Sequence, residues 1–119
     1  MKPMLFATLL AGCAVEPGPR PPVPRFEIDP EYVPEGDGHE TPVTLDGAAS
    51  ADELDDPGAR LRFEWSFDAD VRFVEGDRHD PTIVVTLSGT RPVTVTLAVE
   101  DEDELVSRLS RRIGLVLPE

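Results

Sequence analysis

Acidic residues in two connecting segments are the side chains with the clearest potential for chemistry. They are Asp46, Asp52, Asp55 and Asp56 in one segment, and Asp101 and Asp103 in the other. Carboxylate oxygens are the hard ligands that Ca²⁺ prefers. If the two segments meet at one end of the domain, the candidate calcium ligands are Asp52, Asp55, Asp56, Asp101 and Asp103.

The alternative is that these acids form a solvated end of the domain and bind no metal. The spacing Asp52-x-x-Asp55-Asp56 does not match the calcium loop of an EF-hand. We therefore favour the solvated interpretation, expect no cofactor, and keep calcium open as the second possibility.

The chain has few residues that could form a catalytic site. His79 lies near Asp77 and Asp80 and is the one histidine placed to act as a base. A catalytic site also needs a nucleophile and a group that stabilises developing charge. Ser50 and Ser88 lie in turn-like segments. With no glycine-rich phosphate loop either, we expect a non-catalytic protein.

The net charge narrows the range of partners. The chain has 119 residues, enough for one domain, and a formal charge of −13 from 24 acidic and 11 basic residues. Such a charge disfavours nucleic acid and anionic lipid surfaces as partners. Aromatic residues make up only 6% of the chain, so the core must be mainly aliphatic.

The first thirteen residues have the layout of an export signal. A positive start at Lys2 precedes an apolar run from Met4 to Leu10 that is too short to span a membrane. The following Leu10-Ala11-Gly12-Cys13 resembles a bacterial lipobox. That resemblance implies cleavage after residue 12 and lipidation of Cys13, with several acyl chains such as palmitate as a stable anchor. Removal of residues 1–12 takes Lys2 and leaves 24 acidic and 10 basic residues, a charge of −14.

Residues 13–24 are predicted to be a tether behind the lipid. Five of the nine residues in Glu16–Pro24 are proline, which favours an extended polyproline conformation over helix or central strand. The residue directly after the Cys is Ala14 and not Asp. By the same resemblance, this favours the outer membrane of a two-membrane bacterium. We therefore expect an exported protein on the periplasmic or surface face of that membrane.

The segment Arg60–Asp68 is the strand around which residues 25–119 must be built. Leu61, Phe63, Trp65 and Phe67 share one parity, and the residues between them are polar. This alternation predicts a strand with one buried face. The chain has a single cysteine, so no intrachain disulfide can join the sheets. The Trp65 face must therefore supply the central packing.

Further strands follow from alternation and turn signals. They are predicted at Arg25–Val33 (short or edge), Pro42–Asp46, Val71–Val74 (edge), Thr82–Leu87, Pro92–Val99 and Val106–Leu117. In Pro92–Val99 the inward residues are Val93, Val95, Leu97 and Val99. Arg111 breaks the apolar parity of the last strand and predicts a bulge or strand switch near it. The threonines Thr82, Thr86, Thr94 and Thr96 could form one threonine-lined sheet face, but we favour the interpretation that they are ordinary strand-surface residues.

About seven short strands and no helix indicate an all-β, immunoglobulin-like antiparallel β-sandwich. The order of motifs resembles the PKD domain over residues 25–117. The matching segments are Val43–Gly47, Ala49–Asp52, Phe63–Phe67, Asp80–Thr82 and Gly89–Asp101. Two departures stand out. Asp68-Ala69-Asp70 replaces the Gly-Asp-Gly that usually follows the Trp-x-Phe pattern, and Arg91-Pro92 lies where the family has a Tyr.

The resemblance implies a non-catalytic surface module used for spacing, protein contact or carbohydrate contact, sometimes with calcium in acidic loops. We therefore expect a lipid-anchored cell-envelope protein that contacts the membrane through Cys13. Its domain would bind another envelope or surface protein, or a glycan. The alternative is a calcium-dependent adhesion or carbohydrate-binding module.

Overall fold

A computed structural model describes residues 21–52 and 60–117. The predicted signal, the lipidation residue Cys13, most of the tether, and two of the predicted calcium ligands, Asp55 and Asp56, lie outside the described residues. No helix long and apolar enough to cross a membrane occurs among residues 21–52 and 60–117.

The described chain forms two four-stranded sheets, as the sandwich prediction required. The strands are β1 (Glu27–Asp29), β2 (Tyr32–Pro34), β3 (Val43–Asp46), β4 (Arg62–Phe67), β5 (Val71–Glu75), β6 (Thr82–Leu87), β7 (Val93–Glu100) and β8 (Val106–Val116). One sheet has the order β1-β3-β6-β5 and the other β2-β8-β7-β4. All pairs are antiparallel except β2 with β8.

The first predicted strand is two strands in different sheets. Arg25–Val33 was expected to be one short strand, but β1 pairs with β3 and β2 pairs with β8. Pro30, preceded by a cis peptide bond, lies between them. Because proline has no N–H for a sheet ladder, the chain leaves the first sheet there and enters the second. Upstream, Val23 exchanges two backbone hydrogen bonds with Ala51 (2.7 and 3.0 Å), so the end of the proline-rich segment lies against the domain.

The core lies between the sheets and is mainly aliphatic. Fully buried aliphatic side chains come from β2, β3, β6, β7 and β8: Val33, Val43, Leu45, Ile83, Val85, Leu87, Val95, Leu97, Val99 and Ile113. Their alternation along each strand places successive side chains inside and outside the sandwich. Leu61, Phe63 and Phe67 are half-buried and pack against this cluster.

Trp65 is the largest fully buried side chain of the described residues. Its ring meets Phe26 edge to face, with centroids 5.1 Å apart. Its Nε1–H donates to the Asp80 carbonyl (2.7 Å), and its backbone N–H donates to the Arg78 carbonyl (2.8 Å). A strand of one sheet is therefore bound to the loop that connects two strands of the other.

The prediction of a bulge near Arg111 is wrong. Pairing of β7 with β8 runs without a register shift from Val93↔Ile113 to Glu100↔Val106. Arg111 faces inward, and its guanidinium reaches the margin of the core, 5.8 Å from the Phe26 ring centroid. There it donates to the Phe26 carbonyl (2.7 Å) and lies 3.9 Å from Glu31. The charged guanidinium is tolerated at this inward-facing position because it stacks on an aromatic ring and donates a hydrogen bond.

The prediction that the last strand extends to Leu117 with that side chain inward is also wrong. The strand β8 ends at Val116, and Leu117 is exposed. Its inward parity has no effect because the sheet has already ended.

The connection from β2 to β3 runs beside the end of β6. Backbone N–H groups of Gly36, Gly38 and His39 donate to carbonyls of Gly89, Ser88 and Leu87, respectively. Gly89 has φ +82°, and a Cβ atom there would lie 2.4 Å from the Asp37 backbone nitrogen. This close approach requires glycine both for its conformation and for its lack of a side chain.

We predict that Gly89→Ala destabilises the fold by about 2–4 kcal/mol, because left-handed strain and overpacking add. Gly36→Ala is the matched control. Gly36 also has positive φ (+77°), but a Cβ there has no neighbour within 4 Å. Its cost should be about 1–2 kcal/mol, from strain alone. Urea unfolding of both variants checks this, and equal losses would contradict the described contact between Gly89 and Asp37.

Candidate functional site

Asp101 is built into the turn between β7 and β8. Its Oδ1 accepts backbone N–H groups of Asp103 (2.9 Å) and Leu105 (3.0 Å), which caps the turn. The residue is 2% exposed, and its Oδ2 is buried with no hydrogen-bond partner among the described residues. Of the five predicted calcium ligands, Asp101 alone is described with a buried, uncommitted oxygen.

The other acids form no complete metal site in the described structure. The register pairs Arg62, at the start of β4, with Glu100, at the end of β7, so the connections containing Asp52 and Asp101 share one end of the sandwich. Within residues 21–52 and 60–117, however, no three histidine, cysteine or acidic side chains are grouped closely enough to hold a metal ion. Asp103 is exposed.

His79 has a structural position in the described chain. Its Nδ1 is 3.2 Å from the Phe63 carbonyl, and its backbone N–H donates to Asp77 Oδ1 (2.7 Å). Together with the bond from Trp65 to Arg78, this lays the β5–β6 loop along β4, the outermost strand of its sheet. The loop thereby occupies backbone groups that an open strand edge would expose.

The remaining candidates for chemistry are also engaged elsewhere. Ser50 Oγ bonds the backbone of Arg25, and Ser88 Oγ lies 3.0 Å from Thr90 Oγ1. His39 Nδ1 is 3.1 Å from Thr86 Oγ1. Among the described residues, no serine hydroxyl is hydrogen-bonded to a histidine, so the arrangement contains no activated nucleophile of the kind that pattern would give.

The four threonines do not share one face. Thr82 and Thr86 lie on β6, whereas Thr94 and Thr96 lie on β7, in the other sheet. The idea of a single threonine-lined surface is therefore wrong, because parity along a strand cannot tell which sheet the strand joins.

The outward surface of the β2-β8-β7-β4 sheet carries a group of side chains that sequence reasoning missed. We call it the arginine face. It consists of Tyr32, Pro34, Arg62, Glu64, Ser66, Thr94, Thr96, Ala98, Glu100, Val106, Arg108, Ser110, Arg112, Gly114 and Val116. The alternation of Arg108, Ser110 and Arg112 is visible in the sequence. It was missed because the strand was predicted from its apolar, inward-facing residues alone.

One end of the arginine face holds a shallow depression of about 240 Å³ over Ala98. Arg62 and Glu100 form an ion pair across its margin, with 3.1 Å between Nε and Oε1. Glu100 thereby raises the pKa of Arg62 above its usual value. Arg108 and His79 also line the depression. Both signs of charge meet here, so this end has little net charge.

At the other end, Arg112 carries positive charge beside an aromatic ring. Arg108 and Arg112 make no side-chain ion pair or hydrogen bond within the described chain. Tyr32 is 53% exposed. Its ring lies over Gly114, where a Cβ atom would be 3.4 Å from two ring carbons. A Cβ atom there would be in ordinary van der Waals contact, so the ring lies directly above the outward position of residue 114.

The outward surface of the opposite sheet is acidic. The register places Glu27, Asp29, Asp46 and Glu75 on it, with Arg72 as its outward cation on β5. Asp46 is engaged locally, since its Oδ1 accepts from the Ala48 N–H and the Thr82 hydroxyl (both 3.0 Å). The two outer surfaces of the sandwich therefore differ in charge.

A second depression, of about 210 Å³, lies between β4 and β5 at the open side of the sandwich. Half-buried Phe67 and Phe73 meet edge to face there, 5.9 Å between centroids. Asp70 and Arg78 are also in its lining. The aromatic pair closes the gap between the two sheets at this side.

The two departures from the PKD pattern contact each other. Arg91 donates to the Asp68 carbonyl, and its Nη1 lies 3.6 Å from Asp68 Oδ2. Asp68 Oδ1 accepts the Thr94 N–H (2.8 Å). That hydrogen bond, together with the nearby Arg91 charge, lowers the pKa of Asp68 below its usual value. The pair fixes the end of β4 against the start of β7.

Solved structures share this architecture. The PKD1 domain of Vibrio anguillarum Epp matches with a TM-score of 0.52 and 23% identity, over 85% of this chain and all of that domain. The PKD domain of the KIAA 1837 protein matches with a TM-score of 0.56 and 19% identity, over 91% of this chain and 95% of that one. The fold is therefore PKD-like.

A third neighbour comes from work on the promiscuous specificity of carbohydrate-binding modules of the β-sandwich superfamily. It has a TM-score of 0.62 and 24% identity over 85% of this chain, which spans 36% of that longer chain. At these identities the likeness concerns the fold alone. No protein-family model and no curated protein matches the chain significantly.

Proposed function

We propose that this protein is a non-catalytic, lipid-anchored protein of the cell envelope whose PKD-like sandwich is a binding module. The observation that carries the binding role is the arginine face. Its central strands β7 and β8 leave side chains of Thr94, Thr96, Arg108 and Arg112 directed outward from a rigid, aliphatic-cored sheet. Functional groups on regular strands are held more precisely than groups on loops.

The composition of that face supports a contact surface over a purely structural spacer. Of the five large apolar residues that are markedly exposed in the described chain, Tyr32, Val106 and Val116 belong to β2 and β8. Tyr and Arg are, with Trp, the residue types enriched at the energetic hot spots of protein interfaces. The opposite outer surface is acidic, and its described residues include no exposed aromatic ring. A spacer would have no reason for this difference.

The proposed anchor rests on the sequence. The lipobox-like Leu10–Cys13 and the proline-rich Glu16–Pro24 precede the domain, and they support a lipid at Cys13 with a short spacer to the sandwich. The outer membrane is the proposed address because Ala14 follows the cysteine. Partners on this proposal are another envelope protein or a glycan, and the net negative charge disfavours nucleic acid.

A calcium-dependent module is the second candidate, and one observation favours it. Within residues 21–52 and 60–117, the buried Oδ2 of Asp101 has no hydrogen-bond partner, and a buried carboxylate oxygen without a partner is costly. A Ca²⁺ ion with Asp101 among its ligands would relieve that cost. Against it, the described residues provide no group of three ligands.

We predict that Cys13→Ser abolishes incorporation of a fatty-acid analogue and moves the protein from the membrane fraction to the soluble envelope fraction. The reason is that Cys13 is the only thiol in the chain. Ala14→Asp is the matched control, expected to stay labelled while leaving the outer-membrane fraction. Wild-type protein that is unlabelled and freely soluble would contradict the anchor.

The metal-free proposal predicts equal melting temperatures of the full chain with millimolar calcium and with a chelator. Binding to the folded state alone would raise stability by about 2.7 kcal/mol at calcium a hundredfold above its dissociation constant. A rise that Asp101→Asn abolishes and Asp29→Asn retains would select the second candidate. Asn keeps the Oδ1 acceptor that caps the turn, and Asp29 lies on the opposite outer surface.

A further inference from the structure

We infer that the arginine face binds an acidic glycan, a chain containing hexuronate residues. A pyranose ring would rest on Tyr32 and its carboxylate would pair with Arg112. This inference rests on the binding-module function proposed above and names the ligand class of the same surface.

Tyr32 is placed as a stacking platform. Its ring lies on the sheet over Gly114 and is 53% exposed. One side of the ring covers Gly114, and the exposed remainder of the ring is open to solvent above the sheet. The face of an aromatic ring carries partial negative charge, and a pyranose presents a layer of weakly positive C–H groups to such a face.

Arg112 lies two residues before Gly114 on β8 and has the same outward parity. Two residues span about 7 Å along a strand, within reach of a substituent on a sugar that stacks on Tyr32. Its guanidinium has no ion pair within the described chain. A planar guanidinium bonds a carboxylate through two parallel N–H groups. Arg108, four residues back in the same row, is about 13–14 Å away along the strand and can meet a later carboxylate.

Two acids near this end have cationic partners, whereas Glu35, just after β2, has none within the described chain. Glu31 lies 3.9 Å from Arg111, and Asp68 lies 3.6 Å from Arg91. On the same face, Ala98 of β7 lies between Arg108 of β8 and Glu64 of β4. The unpaired positive charge is therefore concentrated at Arg112, since Arg108 shares its depression with Glu64 and Glu100.

The overall charge of −13 does not prevent this binding at physiological salt. Two packed sheets are about 10 Å apart, and outward side chains add to that distance. Acids on the opposite surface are therefore more than one Debye length, about 8 Å, from the ligand. Their repulsion is screened, whereas a direct contact with Arg112 is not.

The surface between the arginines favours a glycan over an acidic protein. Ser66, Thr96 and Ser110 present hydroxyl groups there, and Thr96 Oγ1 and Ser110 Oγ are 2.8 Å apart. Such a surface is flat and polar, suited to hydroxyl-bearing rings. A protein partner would instead need a desolvated apolar pocket for its anchoring side chains.

The test uses the full chain carrying Cys13→Ser, titrated with an oligogalacturonate and with the matching neutral galacto-oligosaccharide by calorimetry. The acidic oligosaccharide should bind at least about tenfold more tightly than the neutral one. Arg112→Gln should remove most of that preference, and Tyr32→Ala should weaken binding of both. Gly114→Val, which crowds the ring from below, should weaken binding in the same manner as Tyr32→Ala.

Arg72→Gln is the matched control, because Arg72 is an exposed arginine on the other sheet's outer surface. It should leave both affinities unchanged. No binding of the oligogalacturonate, or an equal loss in Arg72→Gln and Arg112→Gln, would overturn the inference. Capture of an acidic envelope protein through Arg112, without uronate binding, would also overturn it. In each of these cases, lipid labelling at Cys13 still decides separately whether the protein is an anchored module.

Discussion

The structure depends on the burial of one indole ring and on the two hydrogen bonds that its residue makes to a loop of the other sheet. Trp65 packs edge to face on Phe26 and donates its Nε1–H to the Asp80 carbonyl at 2.7 Å. Its backbone N–H bonds Arg78. In a chain whose single cysteine cannot form an intrachain disulfide, these contacts do the joining that a covalent bridge does in many sandwiches. They also place the β5–β6 loop over the edge of β4, which leaves the outward face of that sheet as its accessible surface.

The sequence patterns predicted some strands of this fold correctly and others not, for physical reasons that differ between elements. Strict alternation identified β4, β6 and β7, because burial of one sheet face imposes a period of two. The split at Pro30 was missed because it depends on which sheet each short strand joins. Arg111 was misinterpreted as a break in the strand, whereas its inward charge is accommodated by stacking on Phe26 and by a carbonyl. The acids were recognised individually, but the capping role of Asp101 arises from turn geometry that spacing does not encode.

The arginine face shows why the candidate site was harder to predict than the fold. Its members come from four strands that are distant in sequence, and only the register brings Tyr32 beside Gly114 and Arg112. The same register separates an acidic outer surface from a basic one, although the chain as a whole is strongly acidic. The two departures from the PKD pattern, at Asp68 and Arg91, bind each other and hold the end of β4. The fold therefore supports a rigid platform, and the chemistry lies in the side chains on one of its surfaces.

The most direct measurement is an amide chemical-shift map of the full chain carrying Cys13→Ser during titration with oligogalacturonate. The largest changes should cluster at Tyr32, Arg108, Arg112 and Gly114. The Trp65 indole signal and the amides of Glu27 and Arg72 should stay in place, because the core and the opposite surface are not involved. Changes centred on Glu27 and Arg72, or on the turn at Asp101, would contradict the assignment of binding to the arginine face.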